Sequence, residues 1–106
     1  MRYILILIMV LAFSTFASSD FDETMAAAKD GDAIAQFYLG LMYDNGEGVP
    51  ENNIRAYVWW SMAKTQGFEQ AAVNLDIFKP KMTKQQIAEG QALAAKCYES
   101  NYKDCD

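Results

Sequence analysis

The 106-residue chain contains no histidine. That absence removes the commonest general base, the Ser–His and Cys–His nucleophile arrangements, and most zinc sites. Cysteine is scarce as well. Cys97 and Cys105 are the only two; without histidine they make no structural zinc site, and their spacing is not the C-x-x-C of a redox pair. No phosphate-cradling glycine loop is present, because Gly46 and Gly48 stand at the exit of a helical stretch and lack the surrounding pattern. No stretch alternates convincingly as a half-buried strand. Basic excess is missing too: 14 acidic residues outnumber 9 basic ones, for a net charge of −5. That balance argues against nucleic acid and against anionic lipid surfaces, both of which favour a basic face. Acidity by itself favours solubility and names no partner. The expectation is a chain with no catalytic residues, no metal and no cofactor.

What is there begins with a positively charged start, Met1-Arg2, then the unbroken apolar run Tyr3–Phe13 and the small residues Ser14 to Ser19. A basic start, an apolar run of this length and a small-residue exit describe a secretory signal peptide, residues 1–19. A spanning helix wants about 20 apolar residues, and this run falls short. Cleavage fits after Ala17 or after Ser19, with Ser19 preferred; retention as an anchor is the alternative. Removing the segment takes Arg2 from the basic count and nothing from the acidic count, which leaves a net charge of −6. The remaining chain, 20–106, is then periplasmic or secreted, with no membrane association once the signal is cleaved. An even number of cysteines in an oxidising compartment suggests one disulfide, Cys97–Cys105, clipping the tail to the last helix. Loop entropy gives such a short ring about 2.5 kcal/mol. Free or intermolecular thiols are the other reading.

The centre of the chain is Ala33–Gly67, two helical patterns joined by the turn Asn45-Gly46-Glu47-Gly48-Val49-Pro50. Gly46 suits the left-handed closure of a helix C-terminus, and Pro50 cannot continue a helix. Small residues at Ala35, Gly40, Ala56 and Ala63 allow the two helices to approach. Phe21–Lys29 reads as a short helix before the hairpin, and Asn52 or Asn53 caps the hairpin's second helix. Glu69 to about Phe78 is a further helix, ended by Pro80. Thr83-Lys84-Gln85-Gln86 is a capping box that opens the last one. Ala27, Gly31, Ala35 and Leu39 recur 36 residues later as Ala63, Gly67, Ala71 and Leu75. A period in the mid-thirties with paired helices marks an α-solenoid.

Leu39-Gly40-x-x-Tyr43-x-x-Gly46-x-Gly48-Val49, followed by Ala56-x-x-Trp59-x-x-x-Ala63-x-x-x-Gly67-x-x-x-Ala71, resembles the Sel-one-like repeat, a helix-pair family related to the tetratricopeptide repeats. Residues 20–32 resemble the second half of a preceding unit. Glu69–Ala95, with Met82-Thr83 and Gln86-Ile87-Ala88-Glu89, resembles the capping helices that end bacterial members. Departures are Lys64 for a second Ala, Asn52 and Asn53 for an Asp, and Asp76 and Lys79 where a further unit would carry Gly and Tyr. The resemblance implies an all-α fold over 20–106: a short α-solenoid of helix-turn-helix repeats, about five helices in all. Its central repeat would span about 33–68 and its C-terminal cap about 69–106.

Candidate chemistry is thin. Asp44, Glu47 and Glu51 gather around the turn and read as a solvated loop. Ser61 and Lys64 have the spacing of a Ser-x-x-Lys pair with nothing else in support. Trp59 matches the family's core position. Trp60, pointing about 100° away, packs against a neighbour or faces a partner. On the first hairpin helix, Ile34, Phe37, Tyr38 and Leu41 form a second apolar stripe beside the buried face of Ala35, Leu39 and Tyr43, with Met42 at its edge. The stripe is either further core or a concave patch that docks a peptide, a helix or a second copy of the chain. Fold-level analogy with solenoid adaptors implies a non-enzymatic protein-interaction module of the cell envelope, binding a protein partner through Ile34, Phe37, Tyr38, Leu41 and Trp60. Two alternatives stay open. Cysteine-rich relatives are linked to β-lactam binding and hydrolysis, although they carry a cysteine pair in each repeat. A small secreted effector, or an immunity protein that neutralises one, is the other.

Overall fold

Three of the helices start where a side chain takes up free amides. The structure, a computed structural model, describes residues 20–106, so the segment read as a signal peptide lies outside the described residues. Helix α1 covers residues 20–29; α2 is Ala33–Asn45, α3 Asn53–Thr65, α4 Glu69–Phe78 and α5 Lys84–Glu99, with a single 3₁₀ turn at Lys79–Lys81. The Asp32 carboxylate accepts from the Ile34 and Ala35 amides to open α2, and Asn52 does the same for Arg55 in α3. Thr83 and Gln86 form the reciprocal capping box expected at α5. Helix α2 closes on Gly46 in the left-handed region, φ 70°. No strand occurs among the described residues. The fold is all-α, a short solenoid.

The hub is α3, which packs on α2, α4 and α5. It is buried on nearly every side, from Ala56 to Trp60 and again at Met62 and Ala63. A helix covered all round needs close neighbours, and two glycines supply the room. A Cβ on Gly40 of α2 would lie 2.3 Å from Trp60 Nε1, and one on Gly90 of α5 would lie 2.6 Å from the Tyr57 ring. The helices on either side of α3 thus each give up a side chain to an aromatic ring. Trp60 also donates from Nε1 to the Phe37 carbonyl at 3.1 Å and meets the Phe78 ring edge-on at 5.1 Å. It therefore ties α2, α3 and α4 together.

Gln36 is the one polar side chain in this core. Its amide donates to the Ala28 carbonyl, while its oxygen accepts from Gln66, which also donates to the Gly31 carbonyl. Those bonds join the end of α1 to the end of α3 and satisfy groups that burial would otherwise penalise.

Helix α5 lies against α3 and scarcely meets α4. The chain beyond it turns back through Asn101 and Tyr102, both at positive φ, with the Tyr102 amide donating to the Cys97 carbonyl at 2.8 Å. The Tyr102 ring then sits over Gly31, Lys103 donates to the Lys29 carbonyl at the end of α1, and Asp106 pairs with Arg55 at 3.5 Å. The Cys97–Cys105 disulfide holds this course, both cysteines being buried. The last residues therefore fasten the first helix.

Candidate functional site

The stripe on α2 divides. Ile34 and Tyr38 are 56% and 55% exposed. Phe37 and Leu41 are half-buried against the core, and the Phe37 ring meets Phe68 at 5.1 Å and Tyr38 at 5.7 Å. Trp60 corrects the sequence reading. It is only 2% exposed, because Gly40, the Phe37 carbonyl and the Phe78 ring enclose its indole. It belongs to the core and presents nothing to a partner.

What the sequence does not show is a groove. Ile34, Tyr38 and Met42 of α2 face Asp20 and Glu23 of α1 across an open cleft of about 450 Å³, with Asp32 at its end. Its lining contains three carboxylates and no basic side chain. Sequence signals for it existed in the acidic residues of 20–32, but pairing those residues with Ile34 and Tyr38 requires the α1–α2 crossing itself.

A second apolar edge appears on α4. Val73 and Ile77 are 48% and 63% exposed. By the 36-residue offset they correspond to Phe37 and Leu41. Phe37 has Phe68 to pack on; α5 turns away to α3 and leaves Val73 and Ile77 uncovered.

The remaining candidates separate simply. Ser61 donates to the Tyr57 carbonyl and Lys64 is exposed, so no Ser–Lys pair forms. Among the described residues, no cluster of acidic or cysteine side chains has the geometry to hold a metal ion, and no helix is long and apolar enough to cross a membrane. Tyr43, buried between the Phe21 ring and Arg55, has its hydroxyl pKa raised by that burial; Arg55 opposes the shift and Asp106 adds to it.

Paired helices, a turn with left-handed glycines and an aromatic lock between neighbouring units define a short helical-repeat protein. Residues 33–68 match the family model described as Sel1 repeat, so α2, the turn and α3 form a Sel1-like repeat. Repeats of this kind generally mediate protein–protein interaction and are typically non-enzymatic. Neither the curated proteins nor the solved structures gave a match.

Proposed function

We propose that this protein is an exported, non-enzymatic protein-interaction module of the cell envelope, and that it engages its partner through the cleft between α1 and α2. One observation carries the reading: two large apolar side chains, Ile34 and Tyr38, stand exposed over a cleft in a helical-repeat scaffold. Large apolar groups grouped over a concave surface mark interaction sites more often than scattered ones do. Residues 1–19, read as a signal peptide, and a tail disulfide that persists in oxidising compartments support export.

The test is affinity capture from envelope extract, comparing the native chain with an Ile34→Ala/Tyr38→Ala variant whose helicity has been verified. Both residues are exposed, so the variant keeps its fold, whereas Phe37→Ala would also remove packing on Phe68. A discrete partner retained by the native chain and lost by the variant is the expected result. Identical capture by both proteins, or none by either, would overturn the assignment of this surface.

A further inference from the structure

The acidity of residues 20–106 is unevenly placed. Residues 20–48, which form α1, α2 and the start of the turn, carry seven acidic side chains and a single basic one, Lys29, for a net charge of −6. Residues 49–106 carry seven of each and are neutral overall. The whole excess therefore belongs to the stretch that builds the cleft.

Within that stretch the carboxylates stand beside the exposed apolar groups. Asp20, Glu23 and Asp32 line the cleft together with Ile34 and Tyr38. A further recess of about 190 Å³ shares Asp20 and Met42 with it and adds Glu47, again with no basic side chain. Lys29 lines a different recess, with Tyr102 and Lys103. None of the four carboxylates belongs to an ion pair among the described residues, where the ion pairs are Arg55–Asp106 and Lys96–Asp104. Asp32 caps α2 through Oδ1 alone, which accepts from both the Ile34 and Ala35 amides. A cleft lined by one sign of charge concentrates its field and draws in the opposite sign.

We propose that the α1–α2 cleft takes a cationic peptide segment of a partner protein, seating an apolar side chain against Ile34 and Tyr38 and lysine or arginine side chains against Asp20, Glu23 and Asp32. The inference rests on the preceding reading of the cleft as an interaction site and gives its occupant a chemistry. Burial of the apolar groups supplies most of the affinity. The carboxylates speed encounter, fix register and reject acidic segments.

The test is fluorescence anisotropy with a labelled amphipathic peptide of lysine and leucine, beside versions with glutamate for lysine and serine for leucine. The native protein binds the lysine–leucine peptide, with an affinity that falls as salt is added, and leaves the other two unbound. Glu23→Gln/Asp32→Asn weakens binding by about tenfold, as the loss of two exposed charge pairs would. Both sites are exposed, asparagine caps a helix as well as aspartate does, and circular dichroism verifies that each variant folds. Ile34→Ala/Tyr38→Ala weakens binding at least as much. Glu89→Gln/Glu99→Gln removes the same formal charge from α5 and keeps the affinity within about twofold.

Equal losses in the cleft and α5 variants overturn the proposal, as do failure to bind the lysine–leucine peptide and association of the native protein with itself in its place. Capture from envelope extract separates this proposal from the reading beneath it. A partner lost by Ile34→Ala/Tyr38→Ala but kept at high salt and by Glu23→Gln/Asp32→Asn leaves the cleft an interaction site and overturns its cationic occupant.

Discussion

The indole of Trp60 fills the space that a side chain on Gly40 would need, with Nε1 2.3 Å from where that Cβ would be. Neither partner can yield cheaply, since Trp60 is also held by the Phe37 carbonyl and the Phe78 ring. Gly40→Ala should therefore destabilise the protein, although alanine favours a helix by about 0.5–1 kcal/mol over glycine. Overpacking of this kind costs about 1–3 kcal/mol. A urea unfolding midpoint that falls in Gly40→Ala is the expected outcome; one that rises would show that Trp60 moves freely.

Gln36 links α1 to α3 from within the core. Replacing it by leucine keeps the volume roughly and removes its bonds to the Ala28 carbonyl, which keeps the Gly31 amide as a donor, and from Gln66. Each such bond contributes about 0.5–1.5 kcal/mol. Gln66→Ala, at an exposed position, should cost less. The double variant should fall short of the sum of the two, because the side chains bond each other at 2.9 Å. Denaturant melts of the three variants measure the coupling.

Reducing the Cys97–Cys105 bond opens a ring that spans 8 positions. The loop-entropy model assigns such a ring about 2.5 kcal/mol. Unfolding in the presence of a reductant should shift to lower denaturant by that order, and Cys105→Ser should reproduce the shift. Lys103→Met should change little, since its bond to the Lys29 carbonyl is exposed.

Tyr43 sets an alkaline limit. Burial raises its pKa above the ordinary 10.0 of a tyrosine hydroxyl, so the folded protein holds that proton more tightly than the unfolded chain does. The stability this confers is complete below the unfolded-state value and is lost as pH rises through the folded-state value. Thermal unfolding followed above neutral pH should show a decline that is smaller in Tyr43→Phe. In an ultraviolet phenolate titration the same variant should lack the late component.

Much of the scaffold was legible from residue types alone. Asn52, Thr83 and Gly46 act where their local chemistry says they should, because caps and turns depend on residues a few positions apart. The 36-residue recurrence places α2 and α4 in equivalent roles for the same reason. Trp60 was not decidable from its own helix. Its direction is fixed by helical geometry, but its burial depends on Gly40 and Phe78, one on each neighbouring helix. Tyr57 on Gly90 and the return of Tyr102 to Gly31 are hidden likewise, since each needs the placement of α5. The candidate surface divides along the same line. Ile34 and Tyr38 were visible as a stripe, whereas the acidic rim facing them exists only once α1 crosses α2.

A solenoid whose units touch only their neighbours behaves like a spring, free to fray from either end. Here the spring is buckled. The tail that Cys105 secures reaches Lys29, Gly31 and Arg55, so loosening the first helix means prising off the last residues as well. The shortest arrays have the most to lose from fraying, and here the tail and the first helix share one seam. Ile34 and Tyr38 stand on the helix that Gln36 ties to both α1 and the end of α3, where an arriving surface meets a shape already set.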